Sequence, residues 1–196
     1  MNWGVFIILA WFALGLDLGL APALAPGAGE VRPSFLFPLI VFVALRAPAR
    51  TALWAGLIGG LMIDLTTPLA RNGAPLATVP GPNALGTLIA AQLVLSTRAM
   101  VMHRNPLTMA VLTVAGAIVA GIAVVAVFTL RGFFGDSIIY ESTHELGIAL
   151  GCALYTGAAA LLMSLPLFWL APVFGFAGQG SHAQGGRFTW SHSGRG

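Results

Sequence analysis

The stretch PLTMAVLTVAGAIVAGIAVVAVFTL, Pro106–Leu130, holds 25 consecutive residues without a charge. About 20 apolar residues are enough for an α-helix to cross a hydrocarbon core of about 30 Å. A second long apolar stretch runs from Leu146 to about Phe174. These two stretches predict an integral membrane protein built from α-helices.

The composition of the whole chain supports this class. Of 196 residues, 58% are hydrophobic and 8% are charged, and the charges comprise nine Arg, six acidic residues and no Lys. A soluble domain typically has about 25% charged residues. Too little charge is present to cover a soluble surface, which excludes a globular enzyme or a nucleic-acid-binding protein. One cysteine, Cys152, excludes a disulfide framework and a Cys-based metal site.

Four shorter apolar segments precede the two long ones and complete a prediction of six transmembrane helices. Two of them are only 13 residues long and are marginal as spans. The tail after residue 177 is rich in Gly, Ser, His and Arg and has no apolar period, so we expect a six-span domain at 1–177 and a disordered cytoplasmic tail at 178–196. The shorter segments are Trp3–Leu24, Pro33–Leu45, Thr51–Leu65 and Ala84–Ser96.

Arginine placement decides between six spans and four, because Lys and Arg collect in cytoplasmic loops. Six spans with a cytoplasmic N-terminus put six Arg inside and three outside, whereas four spans give five against four. The six-span arrangement is therefore predicted, with both termini cytoplasmic. The inner arginines are then Arg46, Arg50, Arg98, Arg104, Arg187 and Arg195.

Asp17 and Asp64 are the only ionisable residues inside the apolar segments. A carboxylate in a membrane span is costly unless it faces water or a partner, so each marks a candidate functional site. Both should lie towards the outer face, where Arg32 or Arg71 could pair with them. The alternative is structural: Asp64 caps a helix end and Asp17 reaches the interface.

Small residues recur at helical spacing in three of the spans. The third holds Gly56-xxx-Gly60, the fifth Ala117-xxx-Gly121 and the last Gly147-xxx-Gly151. Such pairs let helix backbones approach closely in lipid. Packing within one bundle is the simpler interpretation, and contact with another protein is the alternative.

The sequence predicts no catalytic or metal-binding pattern. His144-Glu145 would begin a zinc-protease motif, but Ile148 stands where the second metal-binding His belongs. No nucleophile and base pair falls within the spans. We therefore expect no enzyme activity, no cofactor and no metal.

Several short motifs follow one another in the first half of the chain: EVRPSFL at Glu30–Leu36, APAR at Ala47–Arg50, Ala55-Gly56, GLMIDL at Gly60–Leu65, and Asn83–Gly86. In this order and spacing they resemble the bacterial rod shape-determining MreD family. The resemblance is strongest from Arg32 to Leu65. It weakens at Thr66–Pro82, which is longer than the corresponding outer connection of that family.

The resemblance implies a non-enzymatic scaffold subunit of the cell-elongation complex in the bacterial inner membrane. Its implied partners are the bitopic scaffold MreC and, through it, the actin-like MreB and the glycosyltransferase RodA with its class B transpeptidase, without nucleic acid. The implied fold is similar to the six-helix substrate-binding components of energy-coupling-factor transporters. The residues implied in partner contact or helix packing are Arg32, Pro33, Arg50, Gly56, Gly60, Asp64 and Leu65.

A rival function, the substrate-binding component of a small-solute transporter, stays open. It would place an outer-facing cavity between the helices, with Asp17 and Asp64 as ligands. A stoichiometric bound solute would favour it over the scaffold.

Overall fold

The computed structural model describes residues 1–25, 31–71, 74–100, 105–133 and 142–175. Six α-helices form within these ranges, which confirms the predicted all-α class. A short 3-10 turn, Arg98–Met100, follows the fourth helix. The helices are α1 (Trp3–Gly19), α2 (Leu36–Arg46), α3 (Ala49–Thr66), α4 (Pro82–Thr97), α5 (Pro106–Phe133) and α6 (Ser142–Leu170).

The connection between α3 and α4 contains the only β-strands in the described ranges. Strands β1 (Leu69–Arg71) and β2 (Ala74–Ala77) pair antiparallel, with Leu69 opposite Ala77. This hairpin occupies the middle of the Thr66–Pro82 connection, where the sequence indicated only a long loop.

Several helices end at residues other than the predicted ones, and a proline follows shortly after each of these ends. The first helix ends at Gly19 instead of Leu24, and Pro22, which lacks an N–H, lies in the turn that follows. The second helix ends at Arg46, and Ala47 before Pro48 has an extended backbone with φ −87° and ψ 161°. The last helix begins at Ser142 and ends at Leu170, two residues before Pro172.

Helix α2 forms the centre of the bundle. Every residue from Leu36 to Leu45 is buried, and α3, α4, α5 and α6 all pack against it. A helix that is apolar all round belongs inside a core. Its 11 residues rise only about 16 Å at 1.5 Å per residue, about half of a hydrocarbon core. The segment predicted as a marginal span is therefore a short buried helix.

Consecutive long helices pack antiparallel at small residues. The Cα of Gly121 in α5 faces Ala149 of α6, and Gly157 of α6 faces Val114 of α5. Gly86 of α4 faces Ala120 of α5 in the same way. Gly147, by contrast, has open space in front of it. The glycines of α5 and α6 thus serve packing within the protein, except Gly132 and Gly147, which both have open space in front of them.

Two helices, Pro106–Phe133 and Thr143–Leu170, are long and apolar enough to cross a membrane by length and composition. In the most apolar part of each, 28% of the residues are buried within the bundle. Large apolar side chains on their outer faces include Leu162 and Trp169, which are 77% and 88% exposed. Large exposed apolar surfaces of this kind are typical of faces that contact a membrane or another protein.

The two ends of the described helical region meet at one face of the bundle. The backbone N–H of Asn2 donates to the carbonyl of Phe174 across 2.8 Å. The C-terminal ends of α2 and α6 also meet there, because the Arg46 guanidinium lies 5.5 Å from the ring centroid of Phe168. We call this the Asn2 face, and the opposite face, where α1 and α3 end, the aspartate face. Residues 176–196, which include the predicted tail, lie outside the described ranges.

Candidate functional site

The carboxylate of Asp17, near the end of α1, caps the N-terminus of α2. Its oxygens accept hydrogen bonds from the N–H of Phe35, from the N–H of Leu36 at 3.3 Å and from the Ser34 hydroxyl at 3.1 Å. The Ser34 oxygen in turn accepts from the N–H of Phe37 at 3.2 Å. The first N–H groups of a helix have no partner within it, and a carboxylate satisfies them while complementing the helix dipole.

Asp64, near the end of α3, caps the N-terminus of α4 in the same way. Its oxygens accept from the N–H groups of Gly81 at 2.8 Å, Asn83 at 3.0 Å and Ala84 at 3.1 Å, and from the Asn83 side-chain amide at 2.9 Å. Asp64 is only 2% exposed. Gly81 has a φ of +126°, a conformation that favours glycine, and Pro82 opens the helix.

These two caps resemble each other. A shift of 47 residues places Asp17 on Asp64 and Leu36 on Asn83, and the backbone N–H of Leu36 and that of Asn83 each donate to the aspartate of their own cap. The sequence carries a signal for this repeat that single-span analysis misses: Asp17-Leu18 precedes Pro33 by the same spacing at which Asp64-Leu65 precedes Pro80. The bonds described for both carboxylates run to helix N-termini, which agrees with the structural alternative that Asp64 caps a helix end and extends it to Asp17.

Gly56 and Gly60 lie where α3 crosses α4. A Cβ at Gly56 would lie 3.2 Å from the carbonyl oxygen of Thr87, and one at Gly60 would lie 2.5 Å from the carbonyl oxygen of Asn83. The Thr87 hydroxyl uses this close approach to donate to the carbonyl of Gly56 at 2.8 Å. The glycine pair and Asp64 therefore act together on the α3–α4 contact.

The other residues singled out in the sequence are spread over the molecule. Arg32 is exposed just before α2, and its backbone N–H donates to the Cys152 sulfur at 3.4 Å. Pro33 beside it is buried. Leu65 is 60% exposed. Arg50 is exposed in the first turn of α3, at the opposite end of that helix from Asp64. The seven positions therefore do not form one site.

Between the helices, on the aspartate face, lies a partly open cavity of about 420 Å³. All six helices contribute to its lining. Polar groups come from the cap regions and include Asp17, Ser34, Asn83 and Thr87, while α5 and α6 contribute mainly apolar side chains. Ligand sites are commonly clefts of this size with a few polar groups in an apolar wall. Asp64 is not part of the lining, which differs from the sequence hypothesis that both aspartates serve as ligands.

Arg46 and Arg98 make contacts between helix ends at the Asn2 face, which lies opposite the cavity. The sequence predicted only that both arginines lie on the cytoplasmic side. The Arg46 guanidinium lies 6.0 Å from the Phe42 ring centroid as well as 5.5 Å from that of Phe168, distances typical of cation–π contacts. The Arg98 guanidinium donates to the carbonyl of Ala47 at 2.7 Å. These contacts join the ends of α2, α4 and α6, and no local motif signals them.

Comparisons of the chain with known protein families, curated proteins and solved structures find no match.

Proposed function

We propose that this protein is a multi-pass scaffold of the bacterial inner membrane, resembling MreD, that binds MreC and supports peptidoglycan synthesis during cell elongation. The observation that carries the proposal is the use of the intramembrane carboxylates. Asp17 and Asp64 both serve as helix caps, which is a structural task. The outer faces of the helices offer apolar surface, and a scaffold works through such surfaces.

Membrane insertion is supported by the distribution of exposed apolar side chains. On α1, Ile8, Trp11 and Phe12 are 70%, 66% and 63% exposed. Together with the outer faces of α5 and α6, they form an apolar exterior suited to lipid. Helix α2 is too short to cross the hydrocarbon core of the bilayer by itself. The longer helices that surround it would match the thickness of that core.

Asn2, before α1, and Phe174, after α6, are hydrogen-bonded at one face of the bundle. Both ends of the bundle would then lie on the same side of the membrane, which supports an even number of membrane crossings. We expect a reporter fused after Gly196 to read cytoplasmic, and one inserted between Arg71 and Ala74, in the hairpin of the aspartate face, to read periplasmic. Paired alkaline phosphatase and green fluorescent protein fusions in living cells measure this. A periplasmic reading after Gly196 would show the topology to be wrong.

The outer face of α1 is the surface best suited to a partner's transmembrane helix. Gly15 and Gly19, four residues apart, each have open space in front of them, in line with the exposed Trp11. Small residues at this spacing allow a second helix to approach closely in lipid. MreC is bitopic, so it would bring a single helix of this kind.

We expect Gly15→Leu to reduce recovery of MreC by about tenfold, because the leucine fills the space that the partner helix needs. The measurement is affinity purification of the tagged protein co-expressed with MreC, with quantification of both. Gly147→Leu is the matched control, since Gly147 is an equally open helical glycine on α6. Absence of MreC from the purified wild-type protein would overturn the proposed function, while equal recovery with Gly15→Leu would overturn only this surface.

The cavity favours a second candidate function, the substrate-binding component of a transporter. Such a protein retains a water-soluble solute in stoichiometric amount after purification. Mass spectrometry of extracts from the purified protein distinguishes this function from a scaffold, which carries no such solute.

A further inference from the structure

The charges that line the cavity have opposite signs. Arg32, before α2, and Glu145, in the first turn of α6, both contribute to the lining. Asp17 also lines it, but its carboxylate already accepts three hydrogen bonds at the N-terminus of α2. Arg32 and Glu145 therefore place one cation and one further anion in the lining, a pattern that suits an occupant carrying both signs of charge.

The cavity also has apolar walls beside these charges. Ala117, Val124 and Val125 of α5 and Ile148 of α6 line it along with the hydroxyl-bearing Thr156. An occupant that satisfies all of these groups has an anionic group, an ammonium group and an apolar portion. Arginine suits the anionic group, because its guanidinium presents five N–H donors. It can therefore donate to a phosphate and still keep a contact that it already makes.

We infer that the cavity binds a phosphoethanolamine group, with its phosphate at Arg32, its ammonium at Glu145 and any attached chain against α5. The group has two possible sources, a phosphatidylethanolamine headgroup and a free phosphoethanolamine molecule. This inference goes beyond the proposed function, because it concerns a face of the bundle other than the one proposed for MreC.

The first test compares three probes on the purified full-length protein in dodecyl maltoside. Short-chain phosphatidylethanolamine should bind saturably as one molecule in native mass spectrometry, and at least tenfold more tightly than phosphatidylglycerol of the same chain length, which lacks the ammonium. Binding of free phosphoethanolamine at comparable strength would identify the soluble molecule as the source, and its failure to bind would identify the lipid. Equal binding of the two lipids would overturn the inference.

The second test places a bulky side chain in the cavity. Val125→Trp should weaken binding of short-chain phosphatidylethanolamine at least tenfold, whereas Ile122→Trp, on the same helix but 51% exposed and outside the lining, should leave it unchanged. Unchanged binding to Val125→Trp would contradict the assignment of the site.

Glu145→Gln keeps the inference testable if the tryptophan variant does not fold. In this variant the ratio of the affinity for phosphatidylethanolamine to that for phosphatidylglycerol should fall close to one, because only the contact with the ammonium is lost. A preference that survives in Glu145→Gln would overturn the inference. Recovery of MreC is measured on the same variants and should not change, so failure here is distinguishable from failure of the proposed function.

Discussion

Gly60→Leu should destabilise the bundle by about 3 kcal/mol or more, a value at the upper end for an overpacked core. A Cβ at this position would lie 2.5 Å from the carbonyl oxygen of Asn83 and 2.6 Å from the Cα of Ala84. Both are backbone atoms, so α3 and α4 must separate. Thermal unfolding in dodecyl maltoside, followed by tryptophan fluorescence, should show Tm lowered by about 10 °C.

The matched control for this variant is Gly15→Leu. It makes the same chemical change at a helical glycine that has nothing within 4 Å of its Cβ position. A leucine favours helix over glycine by up to about 1 kcal/mol, so Gly15→Leu should unfold at or slightly above the wild-type Tm. If both variants unfold at the same temperature, close α3–α4 packing at Gly60 is not what stabilises the bundle.

Asp64→Ala should cost about 3 kcal/mol, comparable to the Gly60 variant. The alanine leaves the N–H groups of Gly81, Asn83 and Ala84 without their acceptor in a buried setting, and each unsatisfied group costs about 1–3 kcal/mol before local relaxation. The loss of the cap also removes favourable interaction with the dipole of α4. The same thermal unfolding measurement applies.

Asp64→Asn provides a graded comparison. It keeps one acceptor oxygen but replaces the other with an amide that donates, and Asp64 uses both oxygens as acceptors. Its Tm should therefore lie between those of wild type and Asp64→Ala. Asp17→Ala, which removes the equivalent cap from α2, should also lower Tm. Wild-type stability of Asp64→Ala would show that the cap is dispensable.

The six helices could be predicted because each apolar segment shows itself locally in the sequence. Pro106–Leu130 predicted a helix that runs from Pro106 to Phe133 in the structure. Prediction was weaker at the helix ends. The first helix ends at Gly19, five residues before the apolar run does, because apolar character does not distinguish a helix from the turn after it.

The role of α2 could not be predicted from its residues. Leu36–Leu45 reads as a short, marginal span, and its apolar side chains suit lipid as well as a protein core. Five neighbouring helices, α1 and α3 to α6, cover it, and that enclosure depends on how all of them pack.

The sequence by itself determined the all-α class, the six helices of the described ranges and the two aspartates that required an explanation. Charge scarcity and apolar length are sums over neighbouring residues, so they can be read along the chain. The tertiary structure decided what the aspartates do and where a cavity lies. Asp17 and Asp64 accept hydrogen bonds from backbone N–H groups 17 to 20 residues further along the chain. The cavity needs side chains from all six helices, and contacts between distant segments exist only once the segments have packed.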